Sequence, residues 1–258
     1  MHPILIRIGP LTIHTYGLLV AAGFLVGLLL AGREAKRQSV ASERIMDMGF
    51  YILLAAIVGS RLLFVVVSAD HYVRHPLDIF KIWEGGLVFY GGLLLAVPVA
   101  IWYLRRHRLD TWKVADIFAP SLPIGHAIGR LGCYAAGCCY GREAHGLPWA
   151  VTFSDPDCLA KIGVPLHPVQ LYESVGEFLN FLILIALRRH QSFKGQLFWT
   201  YVLLYSMLRF GVEFFRGDEV RGFILSGISV SQGISIVTAL AALVVMKRLS
   251  RKPDAIPR

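Results

Sequence analysis

Charge is scarce in this sequence: Asp, Glu, Lys and Arg make up 17% of its 258 residues, against roughly a quarter in a soluble domain. Acidic groups are the scarcer sign, 17 against 26 basic ones, which leaves a net charge of +9. The basic residues form short clusters between apolar blocks, not one stripe interleaved with aromatics, and this argues against a nucleic-acid partner. Cysteine is limited to Cys133, Cys138, Cys139 and Cys158. Four are too few for a disulfide scaffold, and without paired CxxC spacing they give no reason to expect a metal site. The N-terminus, MHPILIRIGPLTIHTYG, lacks a basic n-region and a small-residue cleavage site, so no removable signal peptide is expected and the first apolar block is expected to stay. There is no internal repeat and no low-complexity segment beyond a short basic tail, 251–258.

What the chain has in abundance is apolar length. Hydrophobic residues reach 55% and the mean hydropathy is +0.58. They fall in blocks of about 17 to 21 residues, enough to cross a ~30 Å hydrocarbon layer as a helix. Seven spans are expected at roughly 16–32, 48–68, 87–104, 115–131, 170–187, 196–216 and 228–246. The fourth, DIFAPSLPIGHAIGRLG, carries two prolines, a His and an Arg, and hydropathy alone fits a broken or re-entrant helix there as well as a crossing. It is counted as a crossing because the charges require one. With the N-terminus outside, sixteen Lys and Arg lie in inner segments and seven in outer ones, while Arg61, Arg130 and Arg209 fall within spans. The positive-inside rule therefore predicts an all-α polytopic membrane protein with a periplasmic N-terminus and a cytoplasmic C-terminus. Residues 1–250 form one transmembrane domain in this reading. The longest outer stretch, about 132–169, contains WAVTFSDPD and several Gly and Pro, and a small periplasmic cap with a strand pair is expected there.

An Arg at membrane depth costs about 2.5 kcal/mol or more on insertion scales, so three of them need partners or a polar cavity. Tyr205, Arg209, Glu213 and Arg216 are spaced by four, four and three residues and share one helical face. An internal ion pair of Arg209 with Glu213 is one reading. Arg216 on the same face keeps the local sum positive and invites an anion. His126 and Arg130 are also four apart, and GRLG runs into a small-residue turn whose free backbone N–H groups could join Arg130 around a phosphate. Arg61 is expected to pair with a carboxylate. With the predicted orientation, Tyr16, Arg61, Glu84 to Gly92, Arg130, His167 to Glu173 and Arg209 to Arg216 all fall in outer halves of spans or adjoining loops. A cationic and aromatic cluster at the headgroup level suits an amphiphile with an anionic head, a phospholipid above all. The paired glycines of WEGGLVFYGG permit close backbone approach or a strained loop, and serve plain helix packing equally well.

These pieces, in this order, resemble the prolipoprotein diacylglyceryl transferase family: IHTYGLL in the first span, EGGLVFYGG at the third, GRLGCYAAGCCYG after the fourth, HPVQLYE at the fifth and LRFGVEFFR at the sixth. The resemblance covers nearly the whole chain. It implies an enzyme of the bacterial inner membrane, working on the periplasmic face, that moves a diacylglyceryl group from phosphatidylglycerol to the lipobox cysteine of a prolipoprotein signal peptide. Membrane lipids are the surroundings, and no cofactor or metal is implied. Carried over residue by residue, it marks Tyr16, Arg130, Gly141, Arg209 and Arg216 as substrate-binding, with His167 from HPVQLYE beside them. Tyr90, Arg130, Arg209 and Glu213 become the catalytic candidates. Three departures alter the pattern: Tyr90 stands where many relatives have His, Cys133 where they have Asn, and Cys138 where they have an acidic residue. A phenol of reference pKa ~10 is a poor base unless strongly shifted, so His126, His167 and Glu213 compete with Tyr90 as proton acceptor. The cysteines invite a nucleophile or a bridge from Cys158 to Cys138 or Cys139, or merely fill a crowded turn. Two other classes stay open: an organic-anion transporter, since such proteins carry intramembrane arginines, and a related protein that binds phospholipid or signal peptide without transfer.

Overall fold

The computed structural model describes residues 2–8, 11–81, 85–217, 222–225 and 227–251. Glu84 and the predicted basic tail from Lys252 onward lie outside them. In chain order the elements are β1 (Ile4–Ile8), β2 (Leu11–His14), α1 (Thr15–Arg37), α2 (Ser42–Val67), α3 (Ala69–Arg74), α4 (Phe89–Arg106), α5 (Thr111–Phe118), α6 (Ser121–Ala136), β3 (Val151–Thr152), β4 (Pro165–Leu166), α7 (Val169–Leu187), α8 (Gln196–Glu213), β5 (Phe223–Leu225), β6 (Ile228–Ser229) and α9 (Val230–Ser250). The strands form three antiparallel two-stranded ladders in sequence order. One of them, β3 with β4, is the strand pair expected within 132–169.

Helices cover six of the seven predicted spans to within a few residues, and the remaining one differs. Residues 115–131 do not form one helix: α5 stops at Phe118 and α6 starts at Ser121. Pro120 disfavours the helical conformation at Ala119 before it and has no N–H to continue the ladder, so the predicted fourth span is a broken helix. Among the described residues four helices are long and apolar enough to cross a membrane: α1, α2, α7 with the turn that follows it, and α9. α4, α6 and α8, with 18, 16 and 18 residues, fall short of that measure.

The chain divides into two compact units, Met1–Ala31 with Ala115–Arg258, and Gly32–Val114. In the first, α6 packs on α7, α7 on α8, and α8 on α9. α7 explains the arrangement. Its buried positions include Gln170, Glu173, Ser174, Glu177 and Asn180, whereas Val175, Phe178, Leu179, Leu182 and Ile183 are exposed. That inside-out amphipathicity is unfavourable in water and favourable only where the outer solvent is lipid. The helix ends follow local chemistry. Ser229 and Gln232 form a reciprocal capping box at the start of α9. Gly137 closes α6 in the left-handed conformation, φ 72°. Buried Asp116 accepts from Gly195 N (2.5 Å) and Phe198 N (3.0 Å), satisfying free donors at the head of α8.

In the second unit α2 packs against α4 through glycine. A Cβ on Gly59 would lie 2.3 Å from the Gly91 carbonyl oxygen, and one on Gly91 would lie 2.2 Å from that of Gly59, so the backbones meet with no side chain between them. Among the described residues Arg61, on α2, pairs with no carboxylate, contrary to expectation. Its guanidinium donates to the backbone carbonyls of Asp78 (2.6 Å), Gly85 (2.8 Å) and Ile79 (2.9 Å), with Gly86 and Lys81 at 3.2 Å. Phe64 and Tyr72 flank it at 5.7 and 5.4 Å. The charge is thus absorbed by carbonyl dipoles, and Arg61 clasps the segment leading to α4. Gly85 and Gly86, at φ 89° and 74°, give the left-handed backbone that turns their carbonyls toward it.

Candidate active site

Three neighbouring helices of the first unit each carry polar groups four residues apart, and the packing brings those rows together. α6 offers His126 and Arg130, α7 offers Glu173 and Glu177, and α8 offers Tyr205, Arg209 and Glu213. A spacing of four keeps each row on one face. His126 Nδ1 lies 3.1 Å from Glu177 Oε1, and Tyr205 stacks on the His126 ring at 5.6 Å between centroids. One turn away Arg130 forms an ion pair with Glu173.

Glu173 is the hub. Besides Arg130 it receives Arg209 Nη1 at 3.1 Å, and Arg216 Nη1 lies 3.8 Å from the same carboxylate oxygen. Arg209 Nη2 reaches Glu213 at 2.6 Å and Ser231 Oγ on α9 at 3.2 Å. The expected Arg209–Glu213 pair is therefore present, within a larger network. All five charged groups are shielded: their side-chain exposure runs from 2 to 12%. Among the described residues three guanidinium groups, of Arg130, Arg209 and Arg216, meet the carboxylates Glu173 and Glu213, with Glu177 one turn along α7 beside His126. Arg130 Nη1 also donates to Cys133 Sγ at 3.6 Å, while its buried Nε has no hydrogen-bond acceptor among the described residues. A buried guanidinium donor is costly unless it meets an acceptor, and a phosphate oxygen is the kind of acceptor that suits it.

Gly141 lies where three segments meet. Its N–H donates to the His167 carbonyl (3.1 Å), and it bridges Arg216 in an antiparallel pair. Arg142 N donates to Phe215 O at 2.9 Å and His167 N to Arg142 O at 3.0 Å. A Cβ on Gly141 would stand 2.5 Å from both the Cβ and the carbonyl oxygen of His167 and 2.7 Å from the Phe215 oxygen. Glycine is thus required for close approach, and the knot holds Arg216 and His167 beside α7 and α8. His167 Nδ1 lies 3.2 Å from the Tyr172 hydroxyl, which also accepts from Trp149 Nε1 at 2.9 Å. Phe215 stacks on His167 at 5.2 Å and carries the Arg142 guanidinium at 5.9 Å. Burial, then the charge of Arg142, holds the His167 imidazole below the ordinary histidine range.

Of the predicted site residues, Arg130, Arg209, Glu213 and Arg216 are joined directly, and Gly141 and His167 adjoin them through the loop. Tyr16, 44% exposed at the head of α1, lies where its backbone faces Gly132 on α6: a Cβ there would be 3.2 Å from the Tyr16 carbonyl oxygen. Tyr90 begins α4 in the other unit and is 63% exposed. Glu173 and Glu177 were not among the predicted site residues. The available signal was that both are carboxylates within a span, the first closing HPVQLYE, at a spacing that matches His126 and Arg130. The four cysteines are free thiols, so the bridge considered for Cys158 is not formed.

Comparison with known proteins adds the family. A model of the family described as prolipoprotein diacylglyceryl transferase matches residues 3–248. The chain is similar to the phosphatidylglycerol–prolipoprotein diacylglyceryl transferase of Bacillus velezensis, 35% identical over 254 residues that cover 95% of this chain and 91% of that one. It is equally similar, at 35% over 255 residues and 97% and 96% coverage, to the enzyme of that name from Geobacter sulfurreducens. With a match running from the first hairpin to the last helix, the chain belongs to the prolipoprotein diacylglyceryl transferase family.

Proposed function

We propose that this protein transfers the diacylglyceryl group of phosphatidylglycerol to the lipobox cysteine thiol of a prolipoprotein signal peptide. The observation that carries this reading is the convergence of three guanidinium groups, of Arg130, Arg209 and Arg216, on Glu173. A phosphodiester head carries about one negative charge, and the guanidinium fork matches its oxygens. No feature of the site favours transport or binding without transfer.

In the reaction the thiol sulfur forms a bond to the glyceryl carbon as the bond from that carbon to the phosphate oxygen breaks. The electron pair leaves with glycerol phosphate, and the thiol proton passes to a base. The departing phosphate moves from a charge near −1 toward −2, its second pKa being about 6. Attraction to Arg130 and Arg209 therefore grows along the reaction, and interactions that strengthen toward the transition state raise the chemical rate. Tyr16, Gly141, Arg216 and His167 complete the headgroup site in this reading. Glu213 fixes the fork of Arg209. For the proton, Tyr90 and His126 are the competing acceptors, and the His126–Glu177 pair supports His126, since a carboxylate partner orients an imidazole.

In the topology we propose, seven crossings leave the N-terminus in the periplasm and the C-terminus in the cytoplasm of a bacterial inner membrane, with residues 1–250 as one membrane domain, 132–169 as a periplasmic cap, and 251–258 as a cytoplasmic tail. Transfer is tested by incubating the purified protein with phosphatidylglycerol vesicles and a lipobox peptide. A diacylglyceryl mass increment on the cysteine is expected, and a peptide of unchanged mass would overturn the proposal.

A further inference from the structure

The Cys133, Cys138 and Cys139 sulfurs all lie within 4.8 Å of one another, although their sequence spacing gave no sign of a metal site. Cys133 is buried near the C-terminal end of α6, and the other two are half-buried just past the Gly137 turn. Metal–thiolate bonds near 2.3 Å put three sulfurs around one ion about 3.8–4.0 Å apart, so a contraction of under about 1 Å closes the set. Thiolates select soft, closed-shell cations such as Cu(I) and Zn(II).

We propose that Cys133, Cys138 and Cys139 bind one thiophilic cation through three sulfurs, and that filling this site weakens phospholipid binding at the adjoining arginines. Three thiols release three protons as three metal–sulfur bonds form, with no change of oxidation state. The product carries one negative charge with a divalent ion and two with Cu(I). Arg130 already donates to Cys133 Sγ, so that charge draws on a guanidinium that a phosphate would also meet. This second step rests on the lipid-binding reading above; the metal site does not.

The probe is Cd(II), titrated into the purified Cys158→Ser protein, with Zn(II) and Cu(I) as competitors that distinguish the native class of ion. A thiolate-to-cadmium charge-transfer band saturating at one equivalent is expected, lost on Cys133→Ser and weakened by Cys138→Ser or Cys139→Ser. Each variant is first checked by thermal melting. A band that persists in a folded Cys133→Ser protein, or none at all in the parent, overturns the site. So does mass spectrometry finding Cys133 in a disulfide in the fully air-equilibrated protein that then takes up no cadmium. Native mass spectrometry of retained phosphatidylglycerol tests the coupling: at least a tenfold weaker retention is expected after loading, and equal retention overturns it. Should the metal-free protein retain no phosphatidylglycerol, the lipid reading fails while the cadmium band still judges the site.

Discussion

At position 130 charge alone is insufficient. The guanidinium meets Glu173 with one arm, Cys133 with another, and keeps a buried Nε donor for a third group; a lysine ammonium at the end of a flexible stem does not reproduce that fork. Arg130→Lys is therefore expected to lower transfer by about 10²–10³-fold, the usual cost of removing one donor aimed at developing charge, as read from the diacylglyceryl increment on the peptide. Near-normal turnover would assign Arg130 to charge balance only. His167 gives a second residue-scale prediction, on pH. Its folded pKa is depressed, by burial first and Arg142 second, so between that value and the ordinary one near 6.5 the unfolded chain binds the extra proton. The stability from this group is whole above about pH 6.5 and is lost as pH falls toward the folded value. The parent's melting temperature should drop more between about pH 7.5 and about pH 5 than that of His167→Gln. Equal drops would show that the imidazole does not titrate with unfolding.

At the scale of elements, small residues set which helices approach. Leucine at Gly59 or Gly91 must push apart backbones that already touch, and overpacking of this kind costs about 1–3 kcal/mol or more. Gly91→Leu is expected to lower the melting temperature in detergent by several degrees, whereas the same substitution at exposed Gly146, where nothing stands within 4 Å, tests the strain of its left-handed backbone alone. A Gly91→Leu protein that melts with the parent would mean that α2 and α4 are not joined there. Most helices were legible in the sequence because apolar length and punctuation are local properties; the α8 boundary follows the polar stretch RRHQSFKG, Arg188 to Gly195. The break between α5 and α6 is visible as Pro120, and charge counting bears only on whether the segment crosses. Partnership was not legible, because a spacing of four fixes a face of one helix and says nothing of the helix opposite it. Arg209 with Glu213 lie on one helix and were found; Glu173, which joins Arg130 to Arg209 from a third helix, was not. Arg61 was missed for a related reason, since among the described residues its hydrogen-bond partners are backbone carbonyls, which have no letter in a sequence.

For the whole molecule, the α5–α6 break decides the topology. If the pair crosses the bilayer, the number of spans is seven and the termini lie on opposite sides. If it dips in and returns, the count becomes six, residues 132–169 lie with the inner loops, and every later segment changes side. The second arrangement puts Lys247, Arg248, Arg251, Lys252 and Arg258 outside, against the bias that orients membrane proteins. It also moves the loop that carries Gly141 and His167 to the cytoplasmic face, away from a substrate thiol presented outside. Fusions separate the two cases. Alkaline phosphatase, active only after export, is expected to be active when joined after Pro156 and inactive after Arg108, and green fluorescent protein at the C-terminus is expected to fluoresce. An inactive fusion at Pro156 together with a dark C-terminal fusion would make α5–α6 re-entrant and remove the periplasmic site from the proposal. The helices and the arginine network would stand unchanged, because neither depends on which side of the membrane they face.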